Sequence, residues 1–266
     1  MAYVPGSLTL SRAAWGIARQ LSGVESQHPL LHVDFVPLED DEGRRTMNDA
    51  LAELNATWAA HGRQISKEFV AVLRLLAAPP REVHGWIGLH NRSEITVVSA
   101  ADRDFAVSVA ADAARIYLDP IDPTKLVDSA VELLPRYPAS SARSISVPKD
   151  YYQQATAAGA GAGAGQRSAG GYLVGQQQTA GPARDVGALK MLLAGGRKGG
   201  GRFYVAVRDR MGRRHKSEKP LTYLDLDSGR VLFREQQNSA GEPWLVAAPA
   251  TAASIAADLN ALLDQM

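Results

Sequence analysis

The sequence contains no cysteine among its 266 residues. Disulfide bonds, thiolate nucleophiles and cysteine-ligated zinc sites are therefore excluded. No run of about 18 consecutive apolar residues occurs, so no transmembrane helix is expected. The first residues, MAYVPGSLTLSRAAWGIARQL, have no long apolar stretch behind a basic start, so we expect no secretory signal and a cytoplasmic protein.

Sequence motifs of catalysis are also lacking. The chain has no GxSxG nucleophile elbow, and the glycine-rich stretch GGRKGGGR at 195–202 lacks the GxxxxGK(S/T) pattern of a P-loop. The stretch GAGAGA at 159–164 formally matches a dinucleotide-binding pattern, but no strand is predicted before it. The sequence therefore favours a binding protein over an enzyme, with no catalytic residue and no cofactor.

The histidines are poorly spaced for a metal site. His28 and His32 are four residues apart, but Pro29 lies between them and no HExxH pattern is present. His84 and His90 fall on one face of a predicted strand, where six residues separate them by about 20 Å. We therefore expect no metal site.

Charge is almost balanced, with a net value of +1, which argues against a protein that coats nucleic acid. Basic residues concentrate in RDRMGRRHKSEK at 208–219. This run could meet phosphates, but it has no interleaved aromatic residue to stack on bases, and Met211-Gly212 indicates a hairpin tip. Nucleic-acid binding by this run is retained as the alternative hypothesis.

Apolar residues recur at spacings of three and four in six segments, which predicts helices. These are 11–21, 46–61, a segment from Ser66 to the Pro79-Pro80 pair, 122–134, 183–194 and a segment that opens at Pro249 and Thr251. Ser11 and Ser66 are predicted N-caps. The segment from His28 to Val36 is predicted to be a strand or extended, and the acidic run at 39–42 is predicted to end it.

Eight short β-rich segments predict strands. They are 83–90, 95–100, 105–110, 115–118, 203–208, 221–226, 230–233 and 244–247. Several are joined by breaks of a few polar residues, and such short connections require antiparallel neighbours. The stretch LTYLDLDSGRVLFRE at 221–235 is predicted to be a hairpin with Asp-Ser-Gly at its turn. Asp225 and Asp227 are then expected on a solvated strand face, not as paired catalytic carboxylates.

Helix, antiparallel meander and helix occur twice in this order, which indicates an internal duplication. We therefore predict an α+β fold with a central antiparallel sheet flanked by helical bundles. The chain is expected to be one domain of two quasi-equivalent halves related by a pseudo-two-fold. The halves span about 1–137 and 151–266, with a linker at 138–150, and the Gly/Ala-rich residues 158–171 are predicted to form a flexible loop.

Six stretches from about residue 46 onward carry a resemblance through their collinear order. They are TMNDALAELNATWAAHG, FVAVLRLLAAPPREV, SSARSISVPKDY, GGGRFYVAVRDRMGRR, LTYLDLDSGRVLFRE and, after Trp244, PATAASIAADLNALL. Together they resemble the EspG family of ESX (type VII) secretion-associated proteins of actinobacteria. That family shares a glycine-rich approach to a strand, an Asp-x-x-x-Gly-Arg hairpin, here Asp225 to Arg230, and a closing helix that begins with proline.

The resemblance implies a non-enzymatic cytosolic chaperone with the same sheet-centred fold. Such a protein binds the hydrophobic helical tip of a PPE protein within a PE–PPE heterodimer. Covering an exposed apolar tip removes its tendency to aggregate. Where no PPE partner exists, small WXG-type helical proteins are the implied clients. No membrane contact is expected, and a homodimer of the free protein is left open.

By analogy with the family, the partner-binding surface is expected on a sheet face and on the C-terminal helical side. The predicted contact residues are five apolar or aromatic side chains with two arginines at the rim: Phe203, Val205, Val207, Tyr223, Phe233, Arg210 and Arg213. The opposing interpretation is that the apolar members belong to the core.

Overall fold

A computed structural model of the protein describes residues 4–34, 40–89, 94–151 and 180–266. The predicted Gly/Ala-rich loop at 158–171 lies outside these residues. The helical segments include α1 (Arg12–Ser22), α2 (Asp41–Asn55), α3 (Lys67–Ala77), α4 (Leu126–Glu132), α5 (Ala180–Ala194) and α6 (Ala252–Asp264). Short 3-10 turns occur at Pro29–Leu31 and Pro123–Lys125.

The first three helices each begin after a residue whose side chain caps them. Ser11, Asp40 and Ser66 each accept a hydrogen bond from the backbone N–H three residues further on. The predicted caps Ser11 and Ser66 are thus confirmed. The predicted bounds of the second helix are wrong, because α2 begins at Asp41 and ends at Asn55. The acidic run starts this helix, since a capping carboxylate and first-turn acids stabilise its N-terminus.

Two segments predicted as extended chain or linker have other structure. Pro29–Leu31 is a 3-10 turn that His28 caps through its ring, so the strand predicted from His28 is wrong there. Within the predicted linker, Ile145–Pro148 forms a strand that pairs with the strand at 243–249. Its alternation of apolar and polar residues fits one buried and one exposed face.

The strands are β1 (Leu8–Ser11), β2 (Ala60–His61), β3 (Gln64–Ile65), β4 (Arg81–Leu89), β5 (Glu94–Ala101), β6 (Ala106–Ala111), β7 (Arg115–Ile121), β8 (Ile145–Pro148), β9 (Arg197–Arg208), β10 (Arg214–Lys216), β11 (Leu221–Leu226), β12 (Gly229–Gln237) and β13 (Pro243–Pro249). Eleven of them form one sheet in the order β1-β7-β6-β5-β4-β9-β11-β12-β13-β8, with β10 paired to β9. The other two, β2 and β3, form a separate hairpin. All eight predicted strands are present.

The connectivity repeats as the sequence predicts. The meander β4–β5–β6–β7 is preceded by α3 and followed by α4, and the strands β9, β11, β12 and β13 are preceded by α5 and followed by α6. In the strand order, the two sets run outward from the neighbours β4 and β9. The predicted α+β class with a central antiparallel sheet is confirmed.

The chain divides into two compact units, each assembled from segments that are distant in sequence. Unit 1 comprises residues 1–135, 201–220 and 252–266, and unit 2 comprises residues 136–200 and 221–251. Strand β9 contributes residues to both units. The units therefore differ from the two halves of the sequence, because the end of β9, β10 and α6 belong with the N-terminal residues.

Unit 1 has helices on both faces of its part of the sheet. On one face α1, α2 and α3 form the core with apolar residues of β1, β5, β6 and β7, and Phe69 makes T-shaped ring contacts with Trp15 and Trp58. On the other face α4 contacts β4, β5 and β6, where Ser129 donates a hydrogen bond to Ser99. Residues on β4 that point toward these two faces therefore enter different environments.

In unit 2, α5 covers one sheet face. Val186 and Leu189 of this helix pack in a cluster with Ile145 and Val147 of β8 and with apolar residues of β11, β12 and β13. The opposite face carries Tyr223, which is fully buried. Both faces of these strands are therefore at least partly covered.

Gly85 marks a close approach between two backbones in unit 1. A Cβ atom on Gly85 would lie 2.0 Å from the carbonyl oxygen of Arg202 in β9. No side chain fits at that distance. Glycine at this position is therefore required by packing.

Candidate functional site

The predicted partner-binding residues separate into buried and accessible groups. Phe203, Val205 and Tyr223 are fully buried, so they cannot contact a partner in this conformation. Val207 and Phe233 are partly buried, and Phe233 packs against the cluster under α5. The buried members support the sheet from within, which is the core interpretation considered above.

Within unit 2 the predicted surface also divides between the two sides of the sheet. Thr222 lies opposite Phe233 in the β11–β12 register, and Tyr223 lies opposite Leu232. Directly opposed residues share a face, and successive residues alternate. Tyr223 and Phe233 therefore point to opposite faces and cannot belong to one contact surface.

The accessible predicted residues lie on one hairpin. We call residues 206–216, from the end of β9 through β10, the basic hairpin. Arg210 and Arg213 are exposed at its turn, and Met211 between them is 77% exposed. An exposed methionine beside two arginines gives this turn an apolar tip with a basic rim.

Asp209 organises the turn of the basic hairpin. Its Oδ1 accepts hydrogen bonds from the backbone N–H groups of Met211 and Arg213, and its Oδ2 accepts one from the Arg213 side chain. The hydrogen bond from His215 and the backbone N–H of Arg213 hold the pKa of the Asp209 carboxyl below its ordinary value. Gly212 has φ of +77°, which favours glycine. The turn is therefore fixed by its own side chains.

Most other cations of the basic run have internal partners. Arg208 donates to the carbonyl of Gly212, and Arg214 pairs with Glu82. The Nζ atom of Lys216 lies 3.8 Å from the centroid of the Tyr204 ring, a cation–π contact. The charge of the run is therefore largely committed inside unit 1.

Glu82 is the centre of a buried polar cluster that the sequence did not predict. This residue on β4 is 1% exposed, and its Oε1 accepts from Arg214 Nε at 2.6 Å and Nη2 at 2.5 Å. His28 Nε2 lies 3.0 Å from Oε2, a close contact that is poorly aligned for a hydrogen bond. Burial would raise the pKa of the Glu82 carboxyl, but the contact with His28 and the charge of Arg214 outweigh burial and lower it.

The cluster has the residue types of a metal centre but not the required lone pairs. Ligand-type atoms of His28, Glu82 and His84 lie within 4.8 Å of one another. His28 Nδ1 accepts from the backbone N–H of Leu30, so the ring hydrogen is on Nε2, which faces Glu82.

Arg214 Nη2 is a donor 3.5 Å from His84 Nε2, so the hydrogen of that ring is on Nδ1, which also faces Glu82. A ligating histidine needs a lone pair toward the metal and usually donates its other N–H. Both rings have the opposite arrangement. Two ring N–H groups and the Arg214 guanidinium thus face the Glu82 carboxylate, and this donor set does not fit a metal ion.

His84 connects this cluster to a stack of rings. Its ring is stacked on Tyr204 at a centroid distance of 5.6 Å, and Trp86 meets Tyr204 edge-on. Burial lowers the pKa of His84 to about 4, although the negative charge of Glu82 opposes this shift. His84 is therefore neutral near pH 7, as its hydrogen bonding requires.

The predicted turn at Asp-Ser-Gly is confirmed, but one of its two aspartates is not solvated. Asp225 and Arg230 are 2% and 1% exposed and form an ion pair across the β11–β12 ladder. Asp227 is exposed and pairs with Lys198. The solvated strand face predicted for Asp225 is therefore wrong, because a facing arginine compensates its burial.

Comparison with known proteins decides the family. The sequence profile of the EspG family matches residues 11–261. The chain belongs to the EspG family. No curated protein matches it.

A solved structure supports the fold of this EspG-family chain. It is described as the Mycobacterium tuberculosis type VII secretion system chaperone EspG5 in complex with a PE25–PPE41 dimer. The two chains superpose with a TM-score of 0.68 at 17% sequence identity, over 98% of this chain and 96% of the other. In the described part of this EspG-family chain, no helix has the length and hydropathy needed to cross a bilayer.

Proposed function

We propose that the protein is a cytosolic chaperone of a type VII (ESX) secretion system. Its client is a PE–PPE-like helical protein whose apolar tip it covers until secretion. The observation that carries this proposal is the EspG family match over residues 11–261. The shared fold with a chaperone described in complex with a PE–PPE dimer supports it. The role requires no catalytic residue and no cofactor.

The accessible tip of the basic hairpin is the proposed contact with the client. Met211 offers an apolar group at an exposed position, and Arg210 and Arg213 surround it with charge. Methionine adapts to irregular apolar surfaces because its side chain is flexible and polarisable. A small apolar centre with a polar rim suits a complex that must later dissociate.

The nucleic-acid alternative has little support. Arg208, Arg214 and Lys216 contact groups within the protein. These side chains are therefore engaged within the protein before a phosphate could approach.

The test is co-expression with a PE–PPE pair encoded beside the protein in its host. A complex that co-purifies by size exclusion, with a client that is insoluble when expressed alone, is the expected result. Met211→Asp is expected to weaken the complex about tenfold, because it places a charge in the apolar contact. Met191→Asp is the matched control, since Met191 is 79% exposed and belongs to α5, which is not part of the basic hairpin.

Equal losses for the two methionine variants would remove the basic hairpin from the contact. If no PE–PPE pair binds but a WXG-type protein does, the client class changes. If neither class binds a folded protein, the chaperone proposal fails.

A further inference from the structure

A surface groove of about 640 Å³ lies in unit 1, in a region that the chaperone proposal does not use. Its walls are the end of α1, the β2–β3 hairpin and one side of α3. The volume lies in the range of grooves that accept organic ligands or peptide side chains. The lining combines basic and apolar side chains.

Three basic side chains line the groove. His61 and Arg63 come from the β2–β3 hairpin, and Arg74 comes from α3. None of the three has a carboxylate partner among the residues that the structure describes. In the same unit Arg115 pairs with Glu53 and Arg214 with Glu82. The groove therefore keeps its positive charge available for a ligand.

The β2–β3 hairpin is fixed before any ligand binds. Asn55 at the end of α2 donates to the carbonyl of Gly62 at 2.9 Å and accepts from its N–H at 2.6 Å. Gly62 has φ of +61°, which suits the tight turn. Ser66 caps α3 immediately after β3. Because both walls are held in place, binding requires little further ordering of the protein.

An apolar wall accompanies the cations. Leu21 of α1, Ile65 of β3 and Val70 of α3 line the groove and pack against the core of unit 1. An inorganic anion would leave these side chains uncovered. The groove lining contains no tryptophan, tyrosine or phenylalanine on which a base could stack. The chemistry thus favours a peptide that carries carboxylates and an apolar side chain.

We propose that this groove binds an acidic peptide segment of another protein, in which carboxylates flank an apolar side chain. The carboxylates contact Arg63 and Arg74, and the apolar side chain lies against Leu21 and Val70. The site is independent of the client contact at the basic hairpin.

The first experiment measures binding to the intact protein by fluorescence anisotropy. The probe is a fluorescein-labelled peptide in which glutamates flank a leucine. Saturable binding that weakens as salt is raised is expected, because the attraction is partly electrostatic. A peptide with glutamine for glutamate and a peptide with serine for leucine are both expected to bind about tenfold more weakly.

The second experiment changes the groove. Arg63→Glu with Arg74→Glu is expected to reduce affinity more than tenfold, because it replaces attraction by repulsion. Arg45→Glu with Arg103→Glu is the matched control, since both arginines are exposed outside the groove. The control is expected to change affinity less than about twofold and reports the effect of net charge alone. The melting temperature of each variant shows that it remains folded.

Several results would overturn the proposal. They are the absence of saturable binding, equal losses in the two double variants, or equal binding of the leucine and serine peptides. Displacement of the peptide by inorganic phosphate at similar concentration would show a general anion site and would also overturn it.

Discussion

Asp225 and Arg230 form a buried ion pair in which Nε and Nη2 of the guanidinium donate to the two carboxylate oxygens at 2.6 and 2.9 Å. The backbone of Arg230 is equally engaged. Its N–H donates to the carbonyl of Pro138, and its carbonyl accepts from the N–H groups of Ser140 and Ala250. Within unit 2, Arg230 of β12 thus binds both the segment at 138–140 and the residue that follows β13.

Removing the carboxylate should leave the buried Arg230 guanidinium without the compensating charge of Asp225. We expect Asp225→Ala to lower the free energy of unfolding by about 3–5 kcal/mol, measured by urea denaturation. Asp227→Ala is the control, because Asp227 is exposed and its pair with Lys198 contributes about 1 kcal/mol or less. The double variant Asp225→Leu, Arg230→Met should be more stable than Asp225→Ala, since no buried charge remains. Strict additivity of the two changes would contradict this account.

Stability should fall with acid through the Glu82 cluster. The pKa of His84 is lowered to about 4 in the folded protein from 6.5, so the unfolded chain binds the proton first. Stability is then fully present above pH 6.5 and decreases toward pH 4, by up to about 3 kcal/mol. The pKa of the Glu82 carboxyl is also lowered from its ordinary value of 4.5. Stability is therefore expected to keep falling as the pH drops below 4.5. The measurement is the free energy of unfolding at a series of pH values.

His84→Phe should reduce that slope, because phenylalanine keeps the stack on Tyr204 and cannot bind a proton. The exposed His61→Phe is the control, because it replaces a histidine that lies outside the Glu82 cluster. An unchanged slope in His84→Phe would assign the acid sensitivity to other groups.

The contact between Glu82 and Arg214 should hold the basic hairpin in place. We expect Glu82→Gln to accelerate tryptic cleavage after Arg210 and Arg213 several-fold, because the neutral amide holds the arginine less strongly. Cleavage after the exposed Arg45 serves as the internal reference for general destabilisation. Equal acceleration at Arg45 and at the basic hairpin would mean that Glu82 stabilises the unit as a whole.

Two glycines should respond in opposite directions to alanine. Gly85→Ala places a Cβ 2.0 Å from the carbonyl of Arg202, so the strands must separate and the melting temperature should fall by several degrees or more. Gly187→Ala meets no atom within 4 Å on α5 and should stabilise the protein by up to about 1 kcal/mol. Similar melting temperatures for the two variants would contradict the close approach at Gly85.

Local patterns in the sequence predicted most of the architecture. Alternation and turn residues located all eight strands of the two meanders, and Ser11 and Ser66 identified two helix starts. These signals depend on a few neighbouring residues, which is why they can be recognised without tertiary information. The start of α2 could not be located from the sequence, because an acidic run such as 39–42 is compatible with a loop and with a capped helix N-terminus.

The candidate site depended on contacts that sequence patterns do not contain. Glu82 and Arg214 are 132 residues apart, and Arg214 appeared to be one more cation in a solvated run. Alternation along β4 places Glu82, His84 and Trp86 on one face of the strand. Two polar residues at this spacing in an otherwise apolar strand are the sequence signal that could have indicated the cluster. The sequence did not show that Tyr223 and Phe233 point to opposite faces of the sheet. An Asp-Ser-Gly turn leaves the strand register uncertain by one residue, and a shift of one residue moves each side chain to the other face.

The packing of α6 against α4 in unit 1 affects biosynthesis. Residues 252–264 must be synthesised before this unit can close, so the nascent chain cannot complete it while the ribosome is still adding them. After α4 has been synthesised, more than a hundred further residues are translated before α6 can cover its apolar surface. Such long-range closure slows folding and prolongs the exposure of apolar surface. The protein that we propose as a chaperone would then itself depend on protection during its synthesis.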